Sequence, residues 1–253
     1  MAQHLGFKVI TVGGGAVSSG MYGMGDYGMA TISELIEFTI RVAAAIGVPL
    51  IADADDGDGN PMNVYRAMQR YSRAGVGAVL LEDITGAKHV PNRPEAPLVS
   101  VSQHVDKIKA AIEARGAGGP CVLARSEALG KKEPFDQVLK RVTAYAEAGA
   151  EIISMSGATP EQHQTVAEVT GKAVFTTAGG PNTADVMFAH KVKIANFAIE
   201  SYALGAAHQA MLTLQRTGST GTALPQLPRD VSAVIQDWAK WSEISRKFNA
   251  QSA

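Results

Sequence analysis

Seven short apolar runs, separated by longer amphipathic stretches, constrain the fold of this chain more than any other feature. The runs are Lys8–Val12, Pro49–Ala52, Ala78–Leu81, Cys121–Ala124, Glu151–Met155, Ala173–Thr176 and Val192–Ala195. Runs of this length that are followed by glycine, polar or charged residues are typical of buried strands. The stretches with helical spacing between them are Thr31–Ile46, Met62–Ala74, Val101–Ala114, Phe135–Ala148, Pro160–Thr170 and Thr183–Lys191. This alternation predicts an α/β fold with a parallel sheet.

Regular strand-then-helix repetition over 253 residues favours a single TIM-type (β/α) barrel. A closed barrel of this type needs eight strands, so we expect the first strand to be missing from the chain. We expect the barrel to occupy residues 1–216 and a linker rich in Gly, Thr and Pro to occupy residues 217–229. Residues 230–253 would form a C-terminal helix, Asp230–Phe248, that packs on the barrel or on a neighbouring subunit.

Charge and hydropathy argue against a nucleic acid or a membrane as the partner of this protein. The net charge is −1, so no basic field indicates nucleic acid binding. No window of about 18 apolar residues predicts a membrane span, and the first residues lack the pattern of a signal peptide. The single cysteine, Cys121, lies in an apolar run and is interpreted as a buried strand residue. These features predict a cytoplasmic protein with a small-molecule partner.

Acidic residues follow two neighbouring strands. Asp53, Asp55, Asp56 and Asp58 come at or just after the end of one run, and the next ends in Leu81-Glu82-Asp83. Carboxyl ends of barrel strands converge on one site, and a hard cation relieves the repulsion of crowded carboxylates. The pattern therefore predicts a divalent metal site. The alternative is a solvated acidic turn whose aspartates cap a helix.

Two further segments fit an anionic ligand near that site. Arg125, at the end of the next strand, can bind a carboxylate through two hydrogen bonds. Gly13-Gly14-Gly15 is interpreted as a loop whose backbone amides can bind an anion. It does not match a dinucleotide fingerprint, because we expect this loop to continue instead of opening a helix. His89, beside Lys88, is the one histidine that we expect near the site.

These motifs together resemble the isocitrate lyase and phosphoenolpyruvate mutase superfamily. The resemblance rests on Pro49–Asn60, Arg73-Ala-Gly75, Leu81-Glu82-Asp83, Lys88 and Ala124–Glu127, which occur in the family's order. It extends from about Leu5 to about Gly218 and implies a (β/α) barrel.

The resemblance also implies roles for individual residues. Asp53, Asp55 and Glu82 would bind Mg²⁺ or Mn²⁺, and Gly13, Gly14 and Gly15 would hold a substrate carboxylate. The catalytic residues would be Arg125, which also binds substrate, together with Lys88 and Asp26. Members use the metal to stabilise an enolate as a C–C or C–P bond breaks, and their final helix commonly packs on another subunit. A homo-oligomer, dimer or tetramer, is therefore expected.

Departures from the lyase pattern select among branches. Lyases carry Lys-Lys-Cys-Gly-His after the Glu-Asp pair, whereas this chain has Gly86-Ala-Lys88-His89 without cysteine. This favours the branch that resembles oxaloacetate decarboxylase. We expect a Mg²⁺-dependent lyase or decarboxylase that cleaves a C–C bond of a small 2-oxo or 2-hydroxy di- or tricarboxylate. The alternatives are a phosphonopyruvate mutase or hydrolase and a truncated, non-catalytic homologue.

Overall fold

The computed structural model describes residues 1–85, 96–221 and 226–249, and these divide into two compact units. The larger unit, Val9–Ala198, contains seven parallel strands that form a nearly closed barrel with helices. The strands are β1 (Ile10–Val12), β2 (Leu50–Asp53), β3 (Ala78–Glu82), β4 (Cys121–Ser126), β5 (Ile152–Met155), β6 (Ala173–Thr177) and β7 (Val192–Asn196). Each apolar run of the sequence is a strand, so the predicted fold class is confirmed.

Seven helices are described in the same unit. They are α1 (Gly14–Tyr22), α2 (Ile32–Ala45), α3 (Pro61–Arg73), α4 (Val101–Arg115), α5 (Phe135–Glu147), α6 (Pro160–Thr170) and α7 (Ala184–Ala189). The starts of several are fixed by capping residues. Thr31, Ser100 and Thr159 each accept a hydrogen bond from the amide three residues later, and each forms a capping box with Glu34, Gln103 or Gln162.

Strand order follows chain order, from β1 to β7, and the strands pair in parallel. Among the described residues, no pairing joins β1 to β7. Side chains alternate between two buried layers, as expected for strands. Ile51, Leu80, Leu123 and Phe175 form one cluster, whereas their strand neighbours pack against the helices. The register pairs Glu82 with Arg125, so two candidate site residues begin as neighbours on β3 and β4.

The smaller unit comprises Met1–Lys8 and Ile199–Ala253. It contains α8 (Glu200–Thr217), α9 (Arg229–Ile235) and α10 (Trp238–Asn249). The predicted single helix Asp230–Phe248 is therefore two helices. They are separated at Gln236 and Asp237, and Asp237 has φ of +53°, which interrupts a helix. None of the described helices is long and apolar enough to cross a membrane.

The segment after β1 also differs from the expectation. We expected Gly13–Gly15 to continue as a loop, but α1 begins at Gly14, with Gly13 in an extended conformation at its N-cap. Glycine has low helix propensity, so the local sequence does not indicate this helix. The helix ends at Gly23, which has φ of +64°.

Candidate functional site

Three carboxylates meet at the carboxyl ends of β2 and β3. Asp53, Asp55 and Glu82 each place one oxygen within 4.8 Å of an oxygen of the other two. Glu82 is buried, and the two aspartates are partly buried. The two strand ends are tied together, since the Glu82 amide donates to the Asp55 carbonyl at 2.7 Å. The chain therefore holds three hard oxygen donors close enough together to bind one divalent cation.

The glycines of α1 allow these carboxylates to approach the backbone. The Gly14 amide donates to Oδ2 of Asp53 at 2.8 Å. A Cβ atom on Gly14 would lie 3.2 Å from Oδ1 of Asp55, and one on Gly15 would lie 3.2 Å from Oδ2 of Asp26. Asp26 thus lies beside the first turn of α1, next to the acidic cluster. The glycine run and the aspartates belong to one structural site.

Side chains of two helices donate hydrogen bonds to the backbone at the end of β2 and in the loop that follows it. Tyr71 of α3 donates its hydroxyl to the Asp53 carbonyl at 2.9 Å. Burial, together with the charges of Asp53 and Asp55, raises the Tyr71 pKa well above its ordinary value, so this hydroxyl keeps its proton. Lys107 of α4 donates to the Asp56 carbonyl at 2.7 Å. The backbone that presents Asp53 and Asp55 is thereby held by two helices.

Arg125 lies between a carboxylate that follows its own strand and one on β3. Nη1 of Arg125 is 3.4 Å from Oε1 of Glu82, and its Nε is 2.6 Å from Oε1 of Glu127. Nη2 points to the Ser156 hydroxyl at 3.5 Å. Burial opposes the charge of Arg125, but Glu82, Glu127 and Asp53 outweigh it and raise its pKa. The guanidinium is therefore a fixed positive charge beside the acidic cluster.

Asp83 does not join the cluster, contrary to the expectation that both carboxylates of Glu82-Asp83 lie beside it. Successive strand residues point to opposite faces, and Asp83 points toward the helices, with no exposed surface. It accepts hydrogen bonds from the Ser126 hydroxyl (2.7 Å), the Glu127 amide (2.9 Å) and the Tyr145 hydroxyl (2.9 Å). Arg141 lies 3.4 Å away. Burial nevertheless raises the Asp83 pKa.

Sequence reasoning missed the supporting roles of Asp83 and Glu127 beside the site. Asp83 holds the Glu127 amide, and Glu127 in turn holds Arg125. The motif Ala124-Arg125-Ser126-Glu127 contained the signal, but the pairing with Asp83 becomes visible only when β3 and β4 are adjacent.

A cavity of about 450 Å³ opens beside the cluster. Asp55 and Glu82 lie in its wall, together with the acidic side chains of Asp56 and Asp58. Much of the remaining wall is apolar: Met29, Ile32 and Leu35 come from α2 and the segment before it, and Ile84 follows β3. A volume of this size accommodates a small molecule.

The other predicted site residues have different outcomes. Lys88 and His89 lie outside the described residues. His104 and His163, which were not expected near the site, have no exposed surface, and their ring nitrogens find no hydrogen-bond partner in the described part of the chain. Burial lowers the pKa of His104 to about 3, with help from Lys107 and Arg141, and that of His163 to about 4. Both are neutral packing residues near neutral pH.

Comparison with known proteins identifies relatives of this arrangement. The chain is 35% identical over 154 residues to a 2-methylisocitrate lyase of Escherichia coli, which covers 60% of this chain and 52% of the relative. It is 30% identical over 256 residues to an oxaloacetate decarboxylase of Rhodopseudomonas palustris, which covers 99% and 86%. The crystal structure of a phosphonopyruvate hydrolase in complex with oxalate and Mg²⁺ matches with a TM-score of 0.80 at 26% identity, covering 98% and 89%.

The extent of these matches differs. The chain spans about half of the length of the first curated relatives that it matches. The family model described as phosphoenolpyruvate phosphomutase, in contrast, matches residues 1–218, which include every described element from β1 to α8. This chain therefore belongs to the phosphoenolpyruvate phosphomutase family, within the isocitrate lyase and phosphoenolpyruvate mutase superfamily.

Proposed function

We propose that this protein is a Mg²⁺-dependent carbon–carbon lyase or decarboxylase that acts on a small 2-oxo or 2-hydroxy di- or tricarboxylate resembling oxaloacetate. Mn²⁺ would substitute for Mg²⁺. The observation that carries the proposal is the acidic cluster of Asp53, Asp55 and Glu82, with the Arg125 guanidinium 3.4 Å from Glu82. An acidic cation site next to a fixed positive charge suits a ligand that chelates a metal and carries a carboxylate.

The donor set fits a hard divalent cation. All three side chains offer carboxylate oxygens, and no described histidine or cysteine belongs to the group. Mg²⁺ commonly uses few carboxylates and leaves positions for water and substrate oxygens. A cation bound there would supply Lewis-acid polarisation of the substrate's 2-oxo group.

The protein's own groups would bind and orient the substrate. Arg125 would pair with a carboxylate or with the developing oxyanion, and Glu82 and Glu127 hold its guanidinium in place beforehand. The Gly14 amide, at the start of α1, donates to Oδ2 of Asp53, and amides at a helix N-terminus favour an anion. Gly13, Gly14 and Gly15 would thus contribute backbone contacts, and Asp26 would lie beside the substrate. In oxaloacetate cleavage, the C3–C4 electron pair moves toward the 2-oxo group as CO₂ leaves.

The decarboxylase branch is supported by the extent of one match. The oxaloacetate decarboxylase relative aligns with 99% of this chain, and residues 86–95 contain no cysteine. The phosphonopyruvate alternative is supported by the likeness to the hydrolase that binds oxalate and Mg²⁺. Lys88 would serve as an additional catalytic cation in either branch.

We also propose a cytoplasmic homo-oligomer, dimer or tetramer. In this organisation residues 1–216 form the catalytic barrel and residues 217–229 the linker. Residues 230–253 would contact a neighbouring subunit. Trp238 and Trp241 are 41% and 59% exposed in the chain, so α10 presents apolar surface. Light scattering of the purified protein tests the oligomer.

A substrate screen tests the proposed reaction. Pyruvate release from oxaloacetate, 2-methylisocitrate, 2,3-dimethylmalate and phosphonopyruvate is followed with Mg²⁺ present. Replacing Arg125 with Ala should lower turnover by ~10²–10³-fold, whereas Arg66→Ala, at an exposed position of α3, should not. Release from oxaloacetate supports the decarboxylase, and release only from phosphonopyruvate supports the hydrolase alternative, whereas formation of phosphoenolpyruvate from phosphonopyruvate would indicate the mutase. Folded protein that turns over none of the four contradicts the proposal.

A further inference from the structure

Lys107 is a buried cation beneath the acidic loop. It lies on α4 and is 3% exposed. Its Nζ donates to the Asp56 carbonyl at 2.7 Å and lies 3.8 Å from Oδ2 of Asp56. A buried ammonium is costly unless it is paired and hydrogen-bonded, and the contacts that offset this cost are to Asp56. The residue therefore connects α4 to the segment that directly follows Asp55.

The segment that Lys107 holds has an unusual backbone. Asp55 has φ of +47° and Asp58 has φ of +67°, in the left-handed region that non-glycine residues rarely adopt. Such conformations persist only where surrounding contacts enforce them. Two such contacts are hydrogen bonds to the backbone. The Glu82 amide donates to the Asp55 carbonyl, and Lys107 donates to the carbonyl of the next residue, Asp56.

We propose that Lys107 is a positioning residue of the cation site: by holding the Asp56 carbonyl, it fixes the backbone that brings Asp55 to Asp53 and Glu82. Lys107 contacts Asp56 and not the three candidate ligands, so it acts through the loop. The inference rests on the proposed function, because it assigns Lys107 a role in the same site.

The direction in which cation affinity changes distinguishes two roles for Lys107, namely positioning of the ligands and electrostatic repulsion of the cation. Lys107 is positive and lies near the candidate ligands, so its charge alone opposes cation binding. Removing that charge would then tighten binding. If Lys107 instead positions the ligands, its removal loosens Asp55 and weakens binding.

The test is a Mn²⁺ titration followed by electron paramagnetic resonance, with no substrate present. The wild type is compared with Lys107→Met, which keeps the chain length without the charge, and with Lys107→Gln, which is too short to keep the 2.7 Å contact. Lys109→Met is the matched control, because Lys109 is exposed on the same helix. Circular dichroism and thermal unfolding without metal establish that each variant is folded at the titration temperature.

We expect the Mn²⁺ dissociation constant to rise by roughly 10- to 100-fold in a folded Lys107 variant and to stay unchanged in Lys109→Met. Unchanged or tighter binding in either folded Lys107 variant overturns the inference while leaving the proposed function intact. Failure of the wild type to bind Mn²⁺ overturns both. Turnover is not needed for either result.

Discussion

The Nε atom of Arg125 lies 2.6 Å from Oε1 of Glu127, two residues along the same strand end. Glu127 is itself held, since its amide donates to the buried Asp83. Asp83 therefore fixes Glu127, and Glu127 orients the Arg125 guanidinium beside Glu82. Such preorganisation matters for catalysis because a small misplacement of a binding group is costly.

Replacing Glu127 with Gln should impair turnover without unfolding the protein. The amide keeps the shape of the side chain but removes the charge that fixes Arg125. We expect kcat/KM to fall by roughly 10- to 100-fold. Glu147→Gln, at an exposed position of α5, is the control and should behave as wild type. Equal kinetics in the two variants would show that Glu127 does not orient Arg125.

Asp83 should matter for stability. Asp83→Asn removes the charge that Arg141 faces and places an amide among the donors Ser126, Tyr145 and the Glu127 amide. We expect the free energy of unfolding to fall by about 3 kcal/mol, measured by urea denaturation. The exposed Asp106→Asn should change it little. A loss no larger than that control would exclude the structural role assigned to Asp83.

The close approach of the aspartates to α1 predicts a selective effect of added volume. A Cβ on Gly14 would lie 3.2 Å from Oδ1 of Asp55, which is closer than ordinary van der Waals contact, so Gly14→Ala should displace the Asp55 carboxylate. We expect the Mg²⁺ concentration for half-maximal activity to rise by roughly tenfold. Gly20→Ala, in the same helix with no atom within 4 Å of the new Cβ, is the control. A Gly14→Ala enzyme with the Mg²⁺ response of Gly20→Ala would contradict this account.

Burial of His163 should make stability depend on pH. The folded-state pKa is about 4, below the ordinary value of 6.5, so the unfolded state binds a proton that the folded state does not. Keeping His163 neutral therefore does not reduce the free energy of unfolding above pH 6.5. Below pH 6.5 this free energy falls, and it continues to fall until the pH reaches about 4. In this window His163 should contribute a slope of about 1.4 kcal/mol per pH unit to the free energy of unfolding.

The measurement is urea denaturation from pH 7 to pH 4.5 for the wild type and His163→Leu. Comparing the two cancels contributions from Asp83 and His104, which are present in both. The wild type should lose stability more steeply on acidification. Parallel curves would mean that His163 titrates similarly in the folded and unfolded states.

The sequence predicted the parts of this fold that depend on local pattern. The strands are predicted because each is a short apolar run, and the proximity of Asp53, Asp55 and Glu82 is predicted because these residues lie at or after the ends of neighbouring runs. The structure brings these three together, as expected. Helix α1 was missed because its glycines indicate a loop, and the break at Asp237 lies inside a continuous amphipathic pattern.

The supporting contacts could not be predicted in the same way. In the sequence, Lys107 resembles any lysine of an amphipathic helix. Its contact partner, Asp56, is 51 residues away along the chain. Asp83 and Tyr145 are 62 residues apart. Such pairs depend on which helix packs behind which strand end, and that information lies in the three-dimensional arrangement.

The most direct test of the central claim is the Mg²⁺ dependence of oxaloacetate cleavage in the wild type and in Asp53→Asn. The wild type should lose activity after chelation and regain it on adding Mg²⁺. Asp53→Asn should be reduced by ~10-fold or more at the Mg²⁺ concentration that saturates the wild type, and Asp106→Asn should respond as the wild type does. Cleavage that survives chelation, or an Asp53→Asn enzyme with the wild-type Mg²⁺ response, would contradict the assignment of this cluster as the catalytic metal site.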